Sequence, residues 1–149
     1  MSPLSSGATG GLALLDTSIV LASLDPDEPQ HAPCDRLLSE GQHYLYQHAL
    51  AETFAILTGG RLGRRVDPAA AAELLADSVL PFVHLVSLTG KESMAALAAA
   101  HSRGARGGAV YDLLHLFAAR KAGVARLVTL NARDFRALAR PGDPRIESP

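Results

Sequence analysis

Four acidic side chains hold positions where chemistry is possible, at the end of a predicted strand or in the first turns of the following helix: Asp16, Glu52, Asp112 and Asp134. Ligands of open α/β sheets bind outside the carboxyl ends of the strands, so we expect these acids to converge. Two unit charges about 4 Å apart repel by roughly 4 kcal/mol at an effective dielectric near 20. A cluster of four therefore needs protons, basic side chains or a metal ion, and a divalent metal ion is our prediction.

Each acid also has a purely structural interpretation. Asp16 follows a short apolar run and could cap the next helix, and Asn131 could cap the helix that carries Asp134. The positions three, four and seven residues after Glu52 are Ala55, Ile56 and Gly59, so we expect Glu52 to face the interior, where it could pair with an arginine. Asp112 shares its helical face with apolar residues. These alternatives remain open for each acid taken alone.

The types of the neighbouring residues indicate which metal would bind. Hard carboxylate oxygens, without a second histidine nearby, match Mg²⁺ or Mn²⁺ better than Zn²⁺. His115 lies on the same helical face as Asp112, and we interpret it as a core or rim histidine rather than a ligand. Hydroxyl and amide side chains that could orient a water or a phosphate flank the first and last acids: Thr17, Ser18, Thr129 and Asn131.

The elements that must position these residues alternate between strands and helices. Apolar runs predict strands at 12–16, 43–47, 82–88 and 126–130, with a short edge strand at 145–146. Amphipathic stretches with capping and stop signals predict helices at 19–24, 31–38, 48–58, 69–79, 90–101, 109–122 and 131–138. This alternation predicts an α/β fold with a mostly parallel central sheet between two layers of helices, a three-layer α/β/α sandwich.

Length and composition limit the class of protein. A chain of 149 residues fits one domain, and no apolar run approaches the roughly 20 residues that a membrane helix requires. Residues 1–10 lack the basic and apolar regions of a signal peptide, so we expect a flexible extension. Cys34 is the only cysteine, which excludes an intrachain disulfide and favours a cytoplasmic location. The net charge of −1 offers no general attraction to nucleic acid, so such a partner would need local basic patches.

Four motifs in order resemble those of PIN-domain nucleases, in particular the VapC-like toxin ribonucleases of type II toxin–antitoxin systems. They are Leu14-Leu15-Asp16-Thr17-Ser18-Ile19-Val20-Leu21, Ala51-Glu52, Tyr111-Asp112-Leu113-Leu114-His115 and Thr129-Leu130-Asn131-Ala132-Arg133-Asp134-Phe135. The resemblance covers about residues 12–138. It implies a single PIN-like domain over residues 11–149, an acidic pocket that holds Mg²⁺ or Mn²⁺, and metal-dependent cleavage of RNA.

The resemblance also assigns roles to individual residues. It implies that Asp16, Glu52 and Asp112 are the acids found throughout the family, and that Asp134 is the more variable fourth. It matches Thr17 or Ser18 to the hydroxyl beside the first acid, and Asn131 to the polar residue of the closing motif. From position alone, Thr129 flanks the same strand end, and three arginines near the pocket could hold RNA phosphates: Arg103, Arg106 and Arg133. A cognate antitoxin protein and a homodimer are the partners it implies.

Two other functions are compatible with parts of the pattern. A PIN fold could serve as a non-catalytic RNA-binding or scaffold module, although all four acids are intact. A receiver-like signalling domain also gathers acids and Mg²⁺ at strand ends. It would require adjacent acids after the first strand and a late lysine, which the strand ends at Val86-Ser87 and Thr129-Leu130 do not supply.

Overall fold

The computed structural model describes residues 11–60 and 63–149. Its strands are β1 (Ala13–Leu15), β2 (His43–Tyr46), β3 (Val83–Val86), β4 (Arg126–Val128) and β5 (Arg145–Glu147). Its helices are α1 (Thr17–Leu24), α2 (His31–Glu40), α3 (His48–Gly59), α4 (Pro68–Ser78), α5 (Gly90–Arg103), α6 (Ala109–Ala122) and α7 (Ala132–Leu138). These elements match the predicted alternation. The predicted N-terminal extension, residues 1–10, lies outside the described residues.

All five strands form one parallel sheet in the order β3-β2-β1-β4-β5. The chain builds outward from β1 through β2 to β3, and then crosses to the other side of β1 for β4 and β5. The direction of winding therefore reverses between β1 and β4. In open parallel sheets this reversal opens a crevice at the carboxyl ends of the two central strands, which is where ligands bind. Asp16 and Thr129 follow β1 and β4 at this point.

Two hydrophobic cores, one on each face of the sheet, confirm the three-layer sandwich. Side chains alternate across a strand, so Ala13 and Leu15 of β1 enter one core while Leu14 enters the other. The first core is closed by α1, α2, α3 and α4, and the second by α5, α6 and α7. None of the helices in the described parts of the chain has the length and apolar character needed to cross a membrane.

Local signals in the sequence explain how the helices begin and end. The capping box predicted at the start of α5 is present: the Thr89 hydroxyl accepts from the Glu92 amide at 3.1 Å, and Glu92 accepts from the Thr89 amide at 2.8 Å. Helix α6, which carries Asp112, ends at Gly123 with a φ of 74°. Glycine adopts that left-handed conformation without steric cost, so the end of α6 is fixed in the sequence.

Candidate metal centre

Asp16 occupies the crevice between β1 and β4 and is 5% exposed. Its backbone amide donates to the Val128 carbonyl at 3.0 Å, which continues the β1–β4 pairing and fixes where the side chain begins. Its Oδ2 accepts from the hydroxyls of Ser18 and Thr129, each at 2.8 Å. The side chain makes no capping hydrogen bond to α1, so the capping interpretation of Asp16 is wrong.

The two hydroxyls that hold Asp16 are themselves fixed by backbone amides. Ser18 Oγ accepts from the Leu130 amide at 3.0 Å, and Thr129 Oγ1 accepts from the Asn131 amide at 2.9 Å. With a lone pair engaged in this way, each hydroxyl is free to point its single proton at Asp16. Oδ2 is thus satisfied by protein groups, while Oδ1 lies 3.8 Å from Nε2 of His115. Asn131 contributes its backbone, and its side chain does not cap α7.

Glu52 reaches the crevice from the second turn of α3. Its Oε1 accepts from the Thr17 hydroxyl at 2.9 Å, and its side chain is 24% exposed. The buried face of α3 is formed instead by Ala49, Thr53 and Leu57. The expectation that Glu52 lies on an inward-facing stripe is therefore wrong. Successive residues are turned by about 100° on a helix, so Glu52 lies beside the buried stripe and leans over the end of β1.

His115 approaches these two acids from α6 and is 1% exposed. Its Nδ1 lies 2.9 Å from the Tyr111 carbonyl oxygen. Its Nε2 lies 3.8 Å from Asp16 Oδ1 and 3.9 Å from Glu52 Oε1, and has no hydrogen-bond partner. The core interpretation of His115 from the sequence accounts for its burial but not for this nitrogen, which points at two carboxylates.

Asp112 and Asp134 lie in the first turns of α6 and α7 and line one cleft of about 410 Å³. Burial, and after it the negative charge of Asp16, are the main causes that raise the pKa of the Asp112 carboxyl from 3.8 to about 6. Asp134 and Glu52 also raise this pKa, while His115 lowers it. The four acids therefore share one electrostatic environment, with exposed Asp134 at its rim.

Among residues 11–60 and 63–149, no lysine or arginine nitrogen lies within 4.0 Å of an oxygen of these four acids; His115 is the basic group nearest to two of them. In the same residues no group of three or more His, Cys, Asp or Glu side chains is placed so that it could hold a metal ion. The predicted cage of acids is thus more open than expected. Carboxylate oxygens held by hydroxyls, with one unpartnered buried nitrogen, suit a divalent cation that keeps part of its water shell.

The three candidate arginines differ in their surroundings. Arg103 is 10% exposed, forms an ion pair with Asp143 and lies over the Phe117 ring at 5.2 Å. Because its guanidinium is already paired with Asp143, the structure does not support the expectation that Arg103 holds an RNA phosphate. Arg106, in the loop before α6, and Arg133, next to Asp134, are both exposed.

An aromatic pair at the rim of the site was not predicted from the sequence. The rings of His48 and Tyr111 are stacked, with centroids 5.5 Å apart and an angle of 5° between their planes. Tyr111 is 46% exposed and directly precedes Asp112. Exposed aromatic faces can stack on nucleobases. The available signal was an aromatic residue next to the acid of α6 and a histidine at the start of α3.

The geometry agrees with comparisons to known proteins. The family model for the PIN domain matches residues 13–141. The chain belongs to the PIN domain family. Ribonuclease VapC40 of Mycobacterium tuberculosis is 33% identical over 123 residues, which are 83% of this chain and 87% of that protein.

Two solved structures share the fold of this PIN domain. The crystal structure of Mycobacterium tuberculosis VapC20, a toxin that cleaves the sarcin-ricin loop, aligns with a TM-score of 0.60 and 22% identity over 77% of this chain and 86% of that one. VapBC2 of Rickettsia felis, bound to a fragment of its promoter DNA, aligns with a TM-score of 0.61 and 17% identity over 93% and 98%. The predicted family and fold class are confirmed, while the roles of the site residues remain predictions.

Proposed function

We propose that this PIN domain is a metal-dependent endoribonuclease, with Mg²⁺ or Mn²⁺ as cofactor, and the toxin of a toxin–antitoxin pair. The observation that carries the proposal is a group of acids at the carboxyl ends of β1 and β4 whose described surroundings contain no lysine or arginine partner. The 33% identity to Ribonuclease VapC40 supports RNA as the substrate.

Three acids would hold the cation, Asp16, Glu52 and Asp112, with Asp134 completing the rim. When bound, a divalent cation supplies an acidified water as nucleophile and stabilises charge on the phosphate. The chain's own contribution is orientation. Ser18 and Thr129 fix one oxygen of Asp16 and leave the other facing the crevice.

Protonation of Asp112 couples metal binding to pH. Its pKa of about 6 means that the carboxyl holds a proton over part of the mildly acidic range in the metal-free protein. Metal ligands must be deprotonated, so binding of a cation releases this proton. We therefore expect metal affinity and RNA cleavage to fall as the pH drops through about 6.

Substrate RNA would approach through local contacts, because the net charge of the chain is −1. Arg106 and Arg133 are exposed on the segments that lead into the two acid-bearing turns of α6 and α7, where they can reach phosphate oxygens. Tyr111 offers a ring face for a base next to Asp112. Asn131 lies at the carboxyl end of β4, where its amide can orient a water or a phosphate.

Two protein partners belong to the proposal. An antitoxin segment would restrain the toxin by filling the acidic cleft between Asp112 and Asp134. A second copy of the chain would form a homodimer, which is supported by an open apolar groove lined by Leu50, Phe54 and Leu80. A cytoplasmic location agrees with the single buried thiol of Cys34, which has no disulfide partner.

Cleavage of structured and unstructured RNAs with Mg²⁺, Mn²⁺ or EDTA tests the activity. We expect the wild-type protein to cut RNA with either metal and not with EDTA. Asp16→Asn and Asp112→Asn should abolish cleavage, while Asp77→Asn, an exposed acid on α4, should leave it unchanged.

Cleavage that survives chelation and both substitutions would contradict the metal–carboxylate chemistry. If wild-type protein binds RNA but never cuts it, the scaffold function would be favoured instead. Expression in a host that lacks the antitoxin tests the toxin role: growth should stop with wild-type protein and continue with Asp16→Asn. Unimpaired growth at high expression of active wild-type protein would contradict toxicity.

A further inference from the structure

The Nε2 atom of His115 is the one buried side-chain nitrogen or oxygen without a hydrogen-bond partner among the described residues. Leaving such a group unpaired destabilises the folded state, so its persistence in a folded core requires a reason. The ring is not loosely placed. The rings of Tyr46 and Phe135 pack nearly perpendicular to it, with centroids 5.2 and 6.3 Å away, and hold Nε2 toward the acids.

The hydrogen bond on the other side of the ring decides which nitrogen carries the proton. Nδ1 lies 2.9 Å from the Tyr111 carbonyl, which can only accept, so Nδ1 is the donor. In the neutral ring Nε2 then presents a lone pair. A histidine whose second nitrogen donates to a backbone carbonyl is the usual arrangement of a metal-binding imidazole.

Neither direct alternative satisfies Nε2. Its separations of 3.8 and 3.9 Å from Asp16 and Glu52 exceed hydrogen-bond length, so even a charged ring donates to neither acid in this arrangement. Two ligand atoms that each lie about 2.1 Å from one ion are separated by about 3 to 4.2 Å, depending on the angle between the bonds. The observed separations lie between the values for ligands at a right angle and ligands on opposite sides, so the three side chains must shift to enter one coordination shell.

We propose that His115 Nε2 is a nitrogen ligand of the divalent cation, beside Asp16 and Glu52 oxygens, and that it makes the site prefer Mn²⁺ and later transition metals over Mg²⁺. This inference rests on the proposed metal-dependent function and narrows its cofactor. Mg²⁺ favours an all-oxygen shell, whereas imidazole binds transition-metal ions more strongly. One nitrogen among oxygens therefore changes selectivity while the carboxylates supply most of the charge. It also reverses our interpretation of His115 from the sequence.

Pulsed electron paramagnetic resonance on the Mn²⁺-loaded full chain tests the ligand directly, because a coordinated imidazole nitrogen modulates the Mn²⁺ signal. We expect nitrogen modulation in wild-type protein and its loss in His115→Gln and His115→Leu. His48→Gln is the matched control, since His48 lies at the rim of the site and stacks on Tyr111. It should keep the modulation.

Metal titrations of the same proteins give a second readout. His115→Gln replaces nitrogen with an amide oxygen, so the Mn²⁺ dissociation constant should rise about tenfold or more, while that for Mg²⁺ changes much less. Circular dichroism verifies that each variant is folded. If the His115 variants do not fold, the comparison of wild-type protein with His48→Gln still decides, because modulation absent from wild-type or lost in His48→Gln overturns the proposal.

Failure of this inference and failure of the proposed function differ in their results. Mn²⁺ that binds wild-type protein and not Asp16→Asn, but shows no nitrogen modulation, overturns the ligand role and leaves the metal site intact. Equal weakening of Mn²⁺ and Mg²⁺ in His115→Gln overturns the selectivity. Absence of any binding of either ion to wild-type protein overturns both.

Discussion

Two regions of this PIN domain bury carboxylates, and they compensate the charge in opposite ways. Asp143, whose side chain is 1% exposed, accepts from Arg103 and, at 3.3 Å, from Arg120. The Arg140 amide donates to it as well, at 2.9 Å. The side chain of Asp16 is almost as buried, at 6% exposed, yet the described donors to it are hydroxyls, and the basic side chain it faces is His115 at 3.8 Å.

The difference supports the proposal that Asp143 is structural and Asp16 functional. Taking a charge out of water is costly unless it is paired. At Asp143 the chain supplies the opposite charge itself, which ties the segment after α7 to α5 and α6. At Asp16, Glu52 and Asp112 the described residues supply hydroxyls and one imidazole. We infer that the missing positive charge comes from a bound metal ion.

Removing the charge of Asp143 should have the largest effect on stability. Asp143→Asn leaves Arg103 buried without its partner, and we expect the free energy of unfolding to fall by about 3–5 kcal/mol. Urea denaturation measures the loss, with Asp77→Asn as the control for an exposed acid. A stability equal to that of the control would contradict the structural role.

Asp16→Asn should show the opposite pattern. It keeps the shape of the side chain and removes its charge, so RNA cleavage should drop by about 100-fold or more, because loss of even an outer partner of a metal costs 10- to 100-fold. The free energy of unfolding of the metal-free protein should not fall, since no lysine or arginine loses an ion-pair partner in the described structure. Steady-state cleavage and urea denaturation on one preparation measure both. If Asp16→Asn loses stability together with cleavage, Asp16 would be structural like Asp143, which would contradict the contrast between the two regions.

Thr129→Val tests whether orientation of Asp16 matters. The substitution removes the hydroxyl that donates to Asp16 Oδ2 and that receives the Asn131 amide. We expect Mn²⁺ to bind about tenfold more weakly. This is the lower end of the 10- to 100-fold range typical for residues that hydrogen-bond a metal ligand. Thr58→Val is the control, because Thr58 bonds the Phe54 carbonyl within α3. Equal affinities in the two variants would contradict the positioning role.

Asp112→Asn should stabilise the metal-free protein at neutral pH by about 1–2 kcal/mol, allowing for partial screening by solvent. The pKa of Asp112 is raised from 3.8 to about 6, so the folded state favours the protonated form. Its contribution to stability is complete below about pH 4 and is lost as the pH rises through about 6. Thermal unfolding in EDTA between pH 4 and 7 should therefore show a steeper decline in wild-type protein than in Asp112→Asn. Identical pH profiles would contradict the repulsion inferred for the acids.

The sequence predicted the layout well because the signals for it are local. Strand ends, the capping box at Thr89 and the stop at Gly123 depend on residues that are neighbours in the chain. The positions of the acids at strand ends and first turns followed from the same signals. A parallel sheet then brings distant strand ends to one edge, which is why acids far apart in sequence could be assigned to one site.

The errors concern contacts between elements. Helical periodicity predicted that the face of α3 carrying Glu52 is buried. It could not show that the buried face is formed by Ala49, Thr53 and Leu57. Arg103 stands among glycines in the sequence, and its partner Asp143 is 40 residues away. The free nitrogen of His115 depends on a carbonyl one turn earlier and on acids from β1 and α3, none of which its own spacing reveals.

Isothermal titration of Mn²⁺ into the metal-free full chain at pH 7 tests the central claim most directly. We predict that wild-type protein binds Mn²⁺, that Asp16→Asn loses this binding, and that Asp77→Asn retains it. Failure of wild-type protein to bind Mn²⁺, or unchanged binding in Asp16→Asn, would contradict the claim that the acids near the ends of β1 and β4 bind a metal ion.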